Sequence, residues 1–82
     1  MGLTKGTVLG LDGRAVPEAF VAVEWGTAPT PEIAILTDET GKFRLFLPAG
    51  TFRVGAHAVD GRSGTAEISC GDEPGEMEIR IS

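Results

Sequence analysis

Few residues in this 82-residue chain could do chemistry. There is one histidine, His57, one cysteine, Cys70, and no tyrosine, asparagine or glutamine. A thiol nucleophile needs a base within hydrogen-bond reach, so Cys70 would have to meet His57. The local pattern puts His57 outward on a strand and Cys70 at a strand end, a surface imidazole and a half-buried thiol. No catalytic residue is therefore assigned, and both side chains are expected to be dispensable. No phosphate loop, paired Cys-x-x-Cys or His-Glu-x-x-His occurs. The carboxylates Asp12, Asp38, Glu39, Asp60, Asp72 and Glu73 all fall in turns. Calcium needs about six to eight oxygens converging from flexible loops. Carboxylates spread over separate turns of an acidic domain are ordinarily just solvated, so no metal and no cofactor is assigned. Sugar binding needs exposed planar aromatics. Trp25 shares parity with Val21 and Val23 and is expected in the core. Phe20 and Phe46 fall outward, where two phenylalanines suit a protein contact better than a sugar.

Composition narrows the partners. The net charge is −5, which argues against nucleic acid, whose phosphates need a basic footprint. It argues equally against an anionic membrane surface. One cysteine permits no internal disulfide. The N-terminus Met1-Gly2-Leu3-Thr4-Lys5 has no apolar run of the signal-peptide type. No stretch is long and apolar enough to span a bilayer, so no membrane insertion is expected. An extracytoplasmic location would require the chain to be excised from a longer one. The length fits one domain over residues 1–82.

The elements that must position these side chains are strands. From Thr37 to Val54 the chain turns through Asp38, Glu39, Thr40 and Gly41, then sends Phe43, Leu45 and Leu47 to one face and Lys42, Arg44 and Phe46 to the other. After Pro48-Ala49-Gly50 the alternation resumes, with Phe52, Val54 and Ala56 against Arg53, Gly55 and His57. Such period-2 alternation bounded by Gly and Pro predicts half-buried strands. In order, the predicted strands are 7–11, 19–25, 33–38, 42–47, 51–59, 62–70 and 76–81. Val8, Ala19, Gly64, Ala66, Ile68, Met77, Ile79 and Ile81 are expected inward. Asp12-Gly13, Asp60-Gly61 and 71–75 are turns. Apolar residues nowhere keep helical spacing for two turns. Seven short strands with regular turns predict an all-β sandwich. Its interior, filled by side chains, is expected to leave no room for a small-molecule cavity of ~300 Å³.

Three motifs carry a resemblance. The run Asp12-Gly13-Arg14-Ala15-Val16-Pro17-Glu18-Ala19 with its following valines, Thr37-Asp38-Glu39-Thr40-Gly41-Lys42-Phe43, and Leu47-Pro48-Ala49-Gly50-Thr51-Phe52 together resemble the signature of carboxypeptidase regulatory-like domains. The resemblance covers about residues 6–61. Ala15 stands where that family often has Pro, and Glu18 where it often has Gly, which concerns the bend into the second strand. The resemblance implies a seven-stranded transthyretin-like (prealbumin-like) Greek-key sandwich. It also implies that the fourth and fifth strands lie in opposite sheets, whereas the residue pattern alone equally allows a hairpin. Enzymes built on that fold use residues that are missing here. Hydroxyisourate hydrolases end in Tyr-Arg-Gly-Ser and carry several histidines, against Ile79-Arg80-Ile81-Ser82 here. Intradiol dioxygenases hold iron with two Tyr and two His.

The expected function is that of a non-catalytic module that supports or docks another domain or protein through a sheet face or edge. Phe20, Arg53, His57 and Phe46 are the candidate contact residues, and weak homo-oligomerisation is compatible with the same surfaces. The alternative is a ligand-binding module for calcium or a glycan.

Overall fold

A computed structural model describes residues 2–30, 34–71 and 73–82. It is all-β, with seven strands: β1 (Gly2–Gly10), β2 (Phe20–Gly26), β3 (Ile35–Leu36), β4 (Lys42–Leu47), β5 (Gly50–His57), β6 (Ser63–Cys70) and β7 (Gly75–Ile81). They form two sheets, a three-stranded one ordered β4-β1-β7 and a four-stranded one ordered β3-β2-β5-β6. All pairs are antiparallel except β1 with β7, which is parallel. Strands β4 and β5 lie in opposite sheets. Pro48 and Ala49 therefore arch between the sheets and do not close a hairpin.

The alternating strands point as their patterns predict. Phe43, Leu45, Leu47, Phe52, Val54, Ala56, Ile79 and Ile81 are buried with Val8, Ala19 and Val21. Burying each larger side chain stabilises by about 1.5–3 kcal/mol. Val16, not among the expected core residues, is buried as well. Strand β1 begins five residues earlier than its pattern shows, because its inward residues there are Thr4 and Gly6. The ring of Phe43 lies on Gly6, its register partner, and fills the space a side chain would take.

Backbone polar groups at the loops are tied to the same core. Val8 N donates to Gly41 O (2.8 Å), and Val16 N donates to Val8 O (2.9 Å). The buried Thr37 hydroxyl donates to Val16 O (2.7 Å) and accepts from Ala19 N (2.9 Å). That role takes Thr37 out of the sheet, so β3 is confined to Ile35–Leu36 and does not run on to Asp38. The predicted start of this strand at residue 33 lies outside the described residues. Strand β5 stops at His57, and Val59 is exposed in the turn beyond it. Gly41 takes φ 74°, a left-handed value that glycine adopts without strain.

The sheets meet along one side. Ser63 N donates to Ser82 O (3.3 Å) and Ser82 N donates to Ser63 O (3.1 Å), so β6 and the end of β7 join across the corner. Gly64 makes this possible: any Cβ there would collide with the Arg80 carbonyl oxygen.

Trp25 departs from its expected place. The β2–β5 register runs Val21↔Ala56 and Val23↔Val54, then shifts so that Trp25 pairs with Arg53 and Gly26 with Phe52. Glu24 is thus an extra residue on β2, a β-bulge. One inserted residue reverses the facing of every later residue in the strand. Trp25 therefore stands on the outside, 52% exposed, and the core position goes to Gly26, beneath the Phe52 ring.

Candidate functional site

Strands β2 and β5 are neighbours, and their outward residues make one surface. Phe20 pairs with Leu36 on one side and His57 on the other. Ala22 pairs with Gly55, and Trp25 with Arg53. Phe20, Trp25 and Leu36 are all exposed by more than half. Exposed large apolar residues gathered on one sheet face mark a contact surface more than scattered ones do.

Polar groups frame this face. Arg53 Nη2 donates to Glu67 Oε1 at 2.9 Å. His57 Nε2 lies 3.9 Å from Glu24 Oε2, and the Glu24 carboxylate covers Gly55. Both pairs are exposed, so each contributes about 1 kcal/mol or less. Of the four sequence-predicted contact residues, Phe20, Arg53 and His57 are brought together here. Phe46, 63% exposed, lies on the outer face of the other sheet, level with Leu3. Trp25 and Leu36 also stand on this face, where the sequence reading did not place them. The bulge hides Trp25, and the two-residue length of β3 leaves Leu36 no alternation to reveal its facing.

The remaining chemical candidates are dispersed. Cys70 pairs with Gly50 at the start of β5, and His57 ends that strand. Seven residues separate the two positions, about 24 Å, so the imidazole cannot act on the thiol. Cys70 Sγ instead lies 3.7 Å from the buried Thr4 hydroxyl.

Each described turn aspartate serves its own loop. Asp12 Oδ1 accepts from Arg14 N (3.0 Å) and Asp60 Oδ1 from Arg62 N (3.1 Å). Asp38 Oδ1 accepts from Thr40 Oγ1 (2.7 Å), Thr40 N (2.8 Å) and Lys42 N (3.0 Å). The Thr40 hydroxyl, followed by the Lys42 and Thr40 amides, holds the Asp38 carboxyl below its usual pKa. The Arg62 amide does the same for Asp60. Among the described residues no three His, Cys, Asp or Glu side chains are grouped as a metal ion would need. Asp72 lies outside the described residues.

Side chains fill the interior between the sheets at Phe52, Val54, Ile79 and Ile81, yet the surface is not free of hollows. An open depression of about 920 Å³ is lined by three successive residues of each strand of the three-stranded sheet, centred on Gly6, Phe43 and Met77, and by Ile35, Leu36 and Asp38. It is three times the size of the cavity that the sequence reading excluded.

No protein-family model matches the chain, and no curated protein matches it.

Proposed function

We propose that this chain is a non-catalytic transthyretin-like Greek-key module, akin to carboxypeptidase regulatory-like domains, that docks another protein or domain. Docking uses the outer face of the β3-β2-β5-β6 sheet. The carrying observation is that Phe20 and its register partner Leu36, and Trp25 further along β2, are all exposed on that face. The sheet orders and the arch between β4 and β5 support the family reading. Glu18 supports it too. It holds φ 55°, a left-handed value that suits the glycine common at that place in the family.

Site-directed photocrosslinking in the native host tests the proposal. A benzophenone side chain at position 20 or 36 should capture a discrete partner, and the same group at Arg14, in the exposed turn after β1 and on neither sheet face, should not. Trp25→Ser should reduce capture at position 20 while leaving the melting point within a few degrees. Equal capture from all three positions, or none, refutes docking by this face.

The outward Trp25 gives a second reading its footing, a glycan stacked on the indole. Trp25 is the only tryptophan, so its emission reports that face alone. A saturable blue shift on titration with a soluble polysaccharide would favour the glycan over the protein partner.

A further inference from the structure

The outer face of the three-stranded sheet has a charge order of its own. Register pairs place Arg44, Lys5 and Glu76 in one row across β4, β1 and β7, and Lys42, Thr7 and Glu78 in the next. In these two rows basic groups stand on β4 and β1 and acidic groups on β7, whose next outward residue, Arg80, pairs with Glu78. Four of the seven cations have a carboxylate within 4 Å: Arg14, Arg53, Arg62 and Arg80. The other three, Lys5, Lys42 and Arg44, have none among the described residues, and all three stand on this face. Glu76 likewise has no such partner there. At one end of the face, the exposed Phe46 lies beside Leu3.

We infer that this face binds a second copy of the same chain. A two-fold axis lying between the copies and running along β1 places β4 of each over β7 of the other. Levels along the strands are preserved by that rotation. Arg44 then meets Glu76 of the other copy, and Lys42 meets its Glu78, which also accepts from Arg80 in its own chain at 2.8 Å. Every contact occurs twice, as an isologous interface requires. Lys5 meets its own copy at the axis, and each lies between the two Glu76 carboxylates. Leu3 meets Leu3 at the apolar end, with Phe46 flanking it. An axis perpendicular to the strands would instead set β4 on β4 and oppose like charges. An acidic peptide fits worse than a second copy, because it would have to pass Glu76 and Glu78.

The area sets the strength. Strands of nine, six and seven residues, at ~3.4 Å per residue and ~4.8 Å spacing, give a footprint on the order of 360 Å² a side, less than half of the ~800 Å² typical of stable pairs, and the depression beside this face lowers the area in contact further. The dimer is therefore weak, with Kd above about 1 μM, and its exposed ion pairs make it salt-sensitive. Leu36 borders both surfaces, but Arg44 and Glu76 belong to this one alone and Phe20 and Trp25 to the docking face alone, so the two readings are tested by different residues.

Analytical ultracentrifugation tests the inference. The wild type should dimerise in about 20 mM salt and weaken at least fivefold in about 500 mM. Arg44→Glu and Glu76→Lys should each be monomeric, since both contacts become repulsive. Their equimolar mixture should form a heterodimer, in which both contacts are attractive. A chain carrying both substitutions should dimerise by itself, which keeps the test sound should one single variant misfold. A wild type that stays monomeric at ~1 mM in low salt overturns the inference. So does a mixture or double variant that stays monomeric, or a dimer abolished by Phe20→Glu but untouched by Arg44→Glu.

Discussion

Gly64→Ala probes the corner where the two sheets join. The new methyl group would lie 3.1 Å from the Arg80 carbonyl carbon, 3.2 Å from Ile81 Cα and closer still to the Arg80 carbonyl oxygen. All three are backbone atoms, so no rotamer change relieves the collision and β6 must move away from β7. Overpacking of this kind costs about 1–3 kcal/mol, and a backbone collision belongs at the top of that range. Parting the strands also endangers the two hydrogen bonds between Ser63 and Ser82, each worth about 0.5–1.5 kcal/mol. The total runs from about 3 kcal/mol for the collision alone to about 6 kcal/mol with both hydrogen bonds lost, against roughly 4–12 kcal/mol for a domain of this length. With about 4–8 °C lost per kcal/mol, the melting point should fall by at least ~12 °C. Gly71→Ala is the control, because nothing lies within 4 Å of a Cβ there and its φ is unremarkable. Thermal unfolding monitored by circular dichroism measures both. A Gly64→Ala variant that melts within ~3 °C of the Gly71→Ala control would refute the close β6–β7 approach.

Thr37→Val removes a buried hydroxyl that serves Val16 O and Ala19 N. Leaving both unsatisfied should cost about 2–4 kcal/mol in urea unfolding, against under 1 kcal/mol for Thr37→Ser. Gly41→Val should destabilise by about 2 kcal/mol or more, because φ is 74° and the new Cβ would lie 2.8 Å from Val8 O; Gly41→Asn should be milder. The native pKa of Asp38 is depressed. Its contribution is therefore complete above the usual carboxylate value of 3.8 and is lost as pH falls through the lower native value. Asp38→Asn should flatten the decline of melting point below about pH 4, and an unchanged slope would show that this carboxylate is not linked to folding.

Most of the strand facing was legible because β4, β5 and β7 alternate bulky with charged residues, with Phe46 and Gly55 the outward exceptions. The arch between β4 and β5 was not, since sheet partnership is a long-range property that Pro48-Ala49-Gly50 does not encode. Strand β1 was shortened in the sequence reading because Thr4 and Gly6 face inward. A small or polar residue carries no hydrophobic signal, and only the spacing of Thr4, Gly6, Val8 and Gly10 would have given it away. Trp25 was misplaced because its parity was extrapolated across Glu24. A bulge lacking Gly or Pro leaves little trace, although a charged residue directly before a tryptophan of supposed core parity is a faint one. The face proposed for docking was half legible: Phe20, Arg53 and His57 follow from alternation, whereas Leu36 and Trp25 depend on β3 and the bulge.

Strand β1 lies between β4 and β7 and is parallel to β7. Among these seven strands, β1 leaves the ribosome first and its second neighbour, β7, leaves last. Until residues 75–81 emerge, one side of β1 has no partner, and Ile79 and Ile81 are missing from the core. The sheet cannot close stepwise during synthesis. Its completion waits on a contact spanning nearly the whole chain, whose loop-closure entropy comes due before that contact stabilises anything. Topologies dominated by such pairings fold in milliseconds to seconds, not microseconds. For that interval the free edge of β1 is the part of the nascent chain most open to pairing with another strand.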